Sequence, residues 1–592
     1  MITLNRLFLE SCRAHPKPVR MMAKKDGVWA KIGTDEIATT VRRLSLGLQA
    51  LGLGPGDRIA ILSENRPEWV MADFAALAAG AVTVPVYTSL PPDQVGYILA
   101  DAGVKAAVCS DLDLWGKVEA VRSGLPSLER VIVIDGDPPA GTQALSDVIE
   151  MGRRLEAEDP ERFERAAEAV RPGDLASIIY TSGTTGLPKG VMLSHANFTS
   201  NVRSLTEAID FRAQDTALSF LPLSHVFERT ATYFLFHVGA TIAYAESVEA
   251  VASNMVEVRP TIVVSVPRLF EKIYSRIMDL VMAGSRLKRA VFVWALATGK
   301  KHAALTIAGK KVPIHLALKR VLSEKLVFAK IAARTGGRIR YFICGGAPIS
   351  SDIVEFFFAI GLTVLPGYGL TETAPVLSAN TPPDRIRFGT VGKPLPRVEI
   401  RIAEDGEILA RGPNIMMGYY KNEADTREVL KDGWLHTGDI GRFDEDGFLI
   451  ITDRKKDIIV TSGGKNVAPQ PIESLIAGSP YVAAAVVVGS SRKFISALVV
   501  PDFEKLEELA RARGWGFADR AVLCRLPEAV DFLLDEVNRM TPGLASYERV
   551  KRIALLDRDF DLGAGEITPT LKVRRSIVER KYADLIESLY QE

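Results

Sequence analysis

Short apolar runs alternating with amphipathic stretches organise the first 180 residues of this chain. Arg58-Ile-Ala-Ile-Leu62 is apolar at almost every position, the pattern of a strand covered on both faces. Glu68–Ala79 reads as a helix, and Gly80 supplies its stop. Ala81–Val86, Lys105–Cys109, Val131–Asp135 and Ile178–Tyr180 predict further strands, and the pattern recurs at Thr261–Ser265 and Ile339–Cys344. Strands alternating with helices predict an α/β fold with largely parallel sheets. After residue 390 the texture changes. Arg397–Ile402, Gly406–Ala410 and Phe448–Ile451 are short strands joined by Gly/Asp turns, a β-rich subdomain. Asp453-Arg-Lys-Lys-Asp457 is a charged, turn-like punctuation. The residues beyond it carry their own strand and helix signals, enough for a small α+β domain. The expected organisation is therefore a large domain over 1–453 of stacked α/β sheets plus the β-rich subdomain, a linker at 454–457, and a small domain over 458–592.

Composition narrows the class without changing this outline. The 592 residues suffice for at least two domains, and 47% hydrophobic with 24% charged residues is the globular range. A net charge of +1 gives no global field that would attract nucleic acid. Cys12, Cys109, Cys344 and Cys524 are scattered, with neither metal-ligand spacing nor a disulfide framework, which fits a reducing cytoplasm. No signal-peptide pattern is visible at Met1–Arg6, and no apolar window is long enough for a membrane-spanning helix. One segment departs from the average. Residues 281–340 contain fourteen Lys/Arg and a single acid, Glu324, a local +13 that leaves −12 for the rest. Apolar residues interleave with these charges, as in Val291–Leu296 and Leu326–Phe328. Such a surface can bind anionic lipid headgroups or attract the phosphates of a ligand, and a plain solvated helical face is an equal alternative.

The candidate chemistry begins at Ser177–Gly190, where an apolar strand runs into a loop of small hydroxyl residues, glycines and one lysine. Glycines let backbone N–H groups converge on an anion; Thr181, Ser182, Thr184 and Thr185 add hydroxyl donors around Gly183 and Gly186, and Lys189 adds a point charge. The loop reads as a polyphosphate cradle. It differs from the common NTPase P-loop, because Lys189 follows proline and precedes Gly190 instead of a magnesium-holding Ser or Thr. Further downstream, Gly367-Tyr-Gly-Leu-Thr-Glu-Thr373 offers Tyr368 as a stacking face for a purine, Thr371 as a donor to phosphate and Glu372 as a hard-cation ligand. Asp439, in His436-Thr-Gly-Asp-Ile440, has the acceptor geometry for a vicinal diol.

These motifs, in this order, resemble the adenylate-forming superfamily of acyl-CoA synthetases, nonribosomal adenylation domains and firefly luciferase. Val266-Pro-Arg-Leu-Phe-Glu-Lys-Ile-Tyr274, the basic insertion after it and the Asp-Arg-Lys-Lys-Asp linker bring the resemblance closest to bacterial long-chain fatty-acid–CoA ligases. The resemblance implies that His225 lines the acyl pocket, that the Gly345-Gly346-Ala347-Pro348 loop borders adenine together with Gly367, Tyr368 and Gly369, and that Asp439 and Arg454 hold ribose. It implies Glu372 as the Mg²⁺ ligand, Lys456 as the hinge of a mobile C-terminal domain, Gly463, Gly464 and Lys465 as a CoA contact, and Lys572 as the catalytic lysine beside Thr371. The implied substrates are a fatty acid, ATP and CoA, joined through acyl-AMP in a cytoplasmic enzyme. Contact with an anionic membrane through 281–340 and a homodimer stay open. So do three alternatives: a fatty acyl-AMP ligase that loads a carrier protein, a ligase for medium-chain or aryl acids, and a non-catalytic nucleotide-binding or membrane scaffold.

Overall fold

The computed structural model describes residues 2–591 except 182–186, 383–385, 562 and 569–572. Two large sheets and a smaller one build the first 454 residues. The first sheet runs Gly418–Tyr419, Lys189–Ser194, Leu175–Thr181, Val82–Val86, Arg58–Leu62, Ala106–Cys109, Arg130–Val133, Gln143–Ala144 in spatial order. Its strands are parallel from Leu175–Thr181 outward to Gln143–Ala144, while Lys189–Ser194 returns antiparallel with Lys189 opposite Thr181. The second sheet has nine strands, and its centre is parallel: Thr241–Tyr244, Thr216–Ser219, Ile262–Ser265, Tyr341–Cys344 and Val364–Gly369. The predicted strands fall where the apolar runs placed them, because strands covered on both faces must be apolar at consecutive positions. Helix Pro67–Ala78 is nearly all buried, and Gly80 follows it at φ +79°. The largest core, which includes Phe8, Trp69, Phe74, Phe198 and Phe236, joins the N-terminal helices to the first sheet and to helix Val226–Val238.

The β-rich stretch forms a third, antiparallel sheet of Glu399–Ile402, Glu407–Arg411, Trp434–Phe443, Leu430–Lys431 and Leu449–Arg454. Residues from Ile459 onward build a core of their own around the strands Val482–Val488, Ser496–Pro501 and Ile553–Leu555. Glu473 lies in the second turn of helix Pro469–Ile476. The result is the mixed α/β architecture expected, a large multi-sheet body and a smaller α+β unit.

Parallel sheets place ligands beyond the carboxyl ends of their strands. Here the segments after Thr216–Ser219, Ile262–Ser265, Tyr341–Cys344 and Val364–Gly369 are Leu221–His225, Val266–Leu269, Gly345–Pro348 and Leu370–Glu372. All four border one cavity.

Candidate active site

The cavity measures about 2640 Å³ and lies between the carboxyl edges of the large sheets, the third sheet and the segments 470–486, 565–568 and 573–579. At one end, three side chains from three strands meet. Asp439 stands directly opposite Arg454 in the antiparallel pair Trp434–Phe443 and Leu449–Arg454. Arg454 Nε lies 3.0 Å from Asp439 Oδ1, and the Tyr368 hydroxyl donates to Asp439 Oδ2 at 2.6 Å. Asp439 raises the pKa of Arg454, so the guanidinium stays charged. Beneath them, Glu407 accepts from the Gly438 amide at 2.9 Å and pairs with Lys455 at 3.0 Å. This fixes the turn that carries Asp439. Asp439 is 6% exposed and Arg454 40%, so the pair is packed on one side and open to the cavity on the other.

At the other end, Thr181 and Lys189 reach the cavity from the first sheet. Lys189 Nζ is paired with Asp425 at 2.5 Å and lies over the Tyr419 ring, 5.4 Å from its centroid. The Tyr419 hydroxyl in turn donates to Glu372 Oε1 at 2.9 Å. Lys189 holds the Asp425 carboxyl below its ordinary range. Thr371 is buried in a single 3-10 turn after Gly369. A β-carbon on Gly369 would sit 1.7 Å from the Pro375 carbonyl oxygen, so only glycine permits this chain reversal. Ser182, Gly183, Thr184, Thr185 and Gly186, expected to contact phosphate, lie outside the described residues. Among the described residues no three His, Cys, Asp or Glu side chains converge on a common point. Glu372 would hold a magnesium ion as a single carboxylate. That fits a cation that completes its shell with phosphate oxygens and water.

Between these ends, Gly345, Gly346, Ala347 and Pro348 form one wall, with Gly346 at φ +83°. His225 also borders the cavity, and it has a second task. Its Nδ1 accepts from the Phe227 amide at 3.1 Å and caps helix Val226–Val238. Phe220, Val226, Val251, Val266, Leu269 and Val354 give the same cavity apolar lining.

From the smaller unit, Gly565, Ile567 and Thr568 line the cavity, as does the Glu473–Arg575 pair. The adjoining Glu566 is fully buried and bonded to Arg558 at 2.7 Å and Lys581 at 2.9 Å. Burial raises its pKa, but these cations outweigh burial and hold it at about 2. The turn that leads toward Lys572 is therefore firmly anchored, though Lys572 itself lies outside the described residues. Lys456 borders the cavity within the turn Arg454–Asp457, which the Asp457 amide closes on the Arg454 carbonyl at 2.9 Å. Gly463, Gly464 and Lys465 are elsewhere: an exposed turn outside the cavity, with Lys465 beside the Tyr547 ring.

The profile of AMP-binding enzymes matches residues 8–420, and that of the AMP-binding enzyme C-terminal domain matches residues 456–592. The chain belongs to the AMP-binding enzyme family. A long-chain-fatty-acid–CoA ligase of Mycobacterium bovis, FadD15, is 37% identical over 99% of this chain and 96% of its own length. The peroxisomal long chain acyl-CoA synthetase 6 of Arabidopsis thaliana is 34% identical over 96% and 82%. The crystal structure of the anthranilate CoA ligase AuaEII with anthranoyl-AMP superposes with a TM-score of 0.75 over 99% of this chain and 98% of that one. At 20% identity, this likeness speaks for the fold.

The cavity of this AMP-binding enzyme thus joins a carboxylate paired with a guanidinium, a lysine paired with a carboxylate, and apolar lining residues. Two residues beside Lys189 and Glu372 escaped sequence reasoning, Asp425 and Tyr419. Asp425 follows the helix-capping Asn422 on a helix with no buried residue, so no apolar periodicity marks it. Tyr419 arrives on a two-residue strand that joins the first sheet only through Lys189–Ser194.

Proposed function

We propose that this chain is an ATP-dependent long-chain fatty-acid–CoA ligase. The observation that carries the reading is a single cavity lined by the Tyr368–Asp439–Arg454 cluster, Lys189, His225 and apolar residues such as Phe220, Val266 and Leu269, in a chain whose full-length relatives are named for that activity. The carboxylate of the acid attacks the α-phosphorus of ATP, forming the mixed anhydride acyl-AMP and releasing pyrophosphate. The CoA thiol then attacks the acyl carbonyl, AMP leaves, and the thiol proton passes to solvent. Both partners of the first step are anions, so the protein's task is positioning and charge stabilisation.

Asp439 accepts from the ribose hydroxyls while Arg454 keeps it aimed. Tyr368 covers the purine, against the Gly345–Pro348 wall. Lys189 exchanges Asp425 for the pyrophosphate end of ATP, and Thr371 donates to the α-phosphate. Glu372 would hold magnesium, which would supply neutralisation of phosphate charge. Lys572 bridges the carboxylate and the α-phosphate. With Gly565–Thr568 on the cavity and Gly463–Lys465 outside it, the arrangement suits the adenylating step. A rotation of 458–592 about Lys456 would bring the Gly463–Gly464 loop to the cavity for thioester formation. The basic segment 281–340 serves peripheral membrane contact at the cytoplasmic face.

The test is ATP–pyrophosphate exchange across fatty acids of graded length, followed by thioester formation with CoA. Long-chain acids should support both. Lys572→Ala should lose at least about 100-fold in exchange while still forming thioester from supplied acyl-AMP; equal loss of both steps overturns the assignment of Lys572. Adenylate formation without any thioester from free CoA overturns the choice of acceptor.

A further inference from the structure

Residues 314–333 run as one helical stretch: an α-helix Ile314–Ser323, a π-helical turn Glu324–Phe328 and a last α-turn Ala329–Ala333. The stretch packs on the long helix Arg286–Ile307. Its inner face carries Leu316, Ser323 and Phe328, which are buried. A surface helix ordinarily turns charged residues outward on the opposite side. This one does not. Ile314 is 81% exposed, Leu318 67%, Val321 54%, Leu322 49% and Leu326 48%. Their spacings of three, four and eight residues place them on a single stripe pointing away from the protein.

Exposed lysines flank the stripe: Lys311 before it, Lys319 and Lys325 within the same stretch, and Lys330 after it. Of the fourteen cations between residues 281 and 340, only Lys300, Arg320 and Arg340 have a carboxylate partner among the described residues: Glu355, Glu324, and the pair Asp210 and Asp215. An apolar stripe bordered by unneutralised cations has the chemistry of a helix lying in the plane of an anionic bilayer, side chains among the acyl chains and ammonium groups at the phosphates. A second copy of the chain is a poorer occupant, because packing stripe against stripe would face one +13 segment with another. Helix Pro267–Met282 packs on helix Arg286–Ile307, the same helix that carries this stretch. It begins at the cavity with Pro267 and Leu269 and ends with exposed Leu280 and Met282, just before the basic segment's helices.

We propose that the outward face of Ile314–Leu326 docks in the plane of an anionic lipid surface, from which the enzyme draws its apolar acid. The docking surface stands on the exposed stripe and its charges alone; only the cargo rests on the function proposed above.

The test uses the full chain, sedimented at low salt with vesicles of three parts phosphatidylcholine to one part phosphatidylglycerol, and with pure phosphatidylcholine vesicles. Partitioning should favour the anionic vesicles by at least about tenfold and collapse at high salt. L318D/L322D should weaken it by about tenfold or more, and K319E/K325E should abolish the preference for anionic lipid. Both variants should keep wild-type ATP–pyrophosphate exchange with soluble octanoate. No sedimentation of the wild type with anionic vesicles overturns the proposal. So does undiminished binding by L318D/L322D, or conversion of a dimer to a monomer by L318D/L322D without change in vesicle binding. Vesicle binding by a chain with no exchange activity overturns the proposed function and supports the docking surface; exchange without vesicle binding does the reverse.

Discussion

The molecule holds two Asp–Arg–Tyr clusters of the same composition, and they do opposite things. In the first, Arg229 and Tyr233, one turn apart on helix Val226–Val238, meet Asp73 from helix Pro67–Ala78. Arg229 lies 2.5 Å from Asp73, its Nε donates to Tyr233 at 2.8 Å, and Ser177 and Thr83 take its remaining donors. The exposures of the Arg and Asp are 0% and 1%. Trp69, Phe198 and Tyr233 ring the guanidinium. In the second, Arg454, Asp439 and Tyr368 come from three strands, and one side of the cluster is left to the cavity. The first cluster is saturated and dry, so it can only hold helices to a sheet. The second keeps acceptor and donor capacity facing a space large enough for a nucleotide. Residue types alone do not make a site; unfilled hydrogen-bonding capacity toward an accessible cavity does.

The comparison breaks most sharply at Arg229. Arg229→Met leaves the Asp73 carboxyl without its partner in the core and should cost about 3–5 kcal/mol of stability by denaturant unfolding, while the folded fraction keeps the wild-type KM for ATP. A rise in that KM with unchanged stability would mean that burial does not separate the two clusters. Asp439→Ala should behave the other way, with kcat/KM for ATP down about 100-fold and a thermal midpoint within about 3 °C of wild type. Unfolding comparable to that of Arg229→Met would refute it. Glu228, beside Arg229 but 2% exposed and with no salt bridge among the described residues, sharpens the contrast. Burial pushes its pKa up to about 8, against a hydrogen bond from Ser219 that lowers it. The native carboxyl keeps its proton while the unfolded one ionises near 4.5. The neutral group's contribution is thus complete below about pH 4.5 and is lost as pH rises toward the native value. Glu228→Gln should therefore gain roughly 2 kcal/mol over wild type between pH 5 and 8, read as a flattened pH profile of unfolding free energy. An unchanged profile would mean that Glu228 is ionised in the fold.

Much of the fold was legible because parallel strands covered on both faces must be apolar throughout, and those runs stand out at Arg58–Leu62, Ala106–Cys109 and Ile262–Ser265. The candidate site was legible in its loops, where glycine and small hydroxyl residues are local necessities: Gly369 has no room for a side chain at all. The pairings were hidden. Asp439 and Arg454 were each expected near ribose, but that they face one another across two strands is a matter of register. Asp425 beside Lys189 and Tyr419 beside Glu372 come from a short edge strand and an exposed helix with no periodic signal. His225 was expected to face the acid; that it also caps a helix follows only from where that helix starts.

The sequence by itself determined the order of strands and helices, the places where the backbone must turn tightly and the segment of excess positive charge. Each of these is a property of neighbouring residues: their size, branching, charge and permitted dihedral angles. Tertiary structure alone decided which arginine–aspartate pair is sealed and which is open, that Gly463–Lys465 stands outside the cavity that Gly565–Thr568 enters, and that the apolar side of Ile314–Leu326 faces outward. Burial and pairing depend on what distant parts of the chain bring alongside a residue, and no local pattern carries that information.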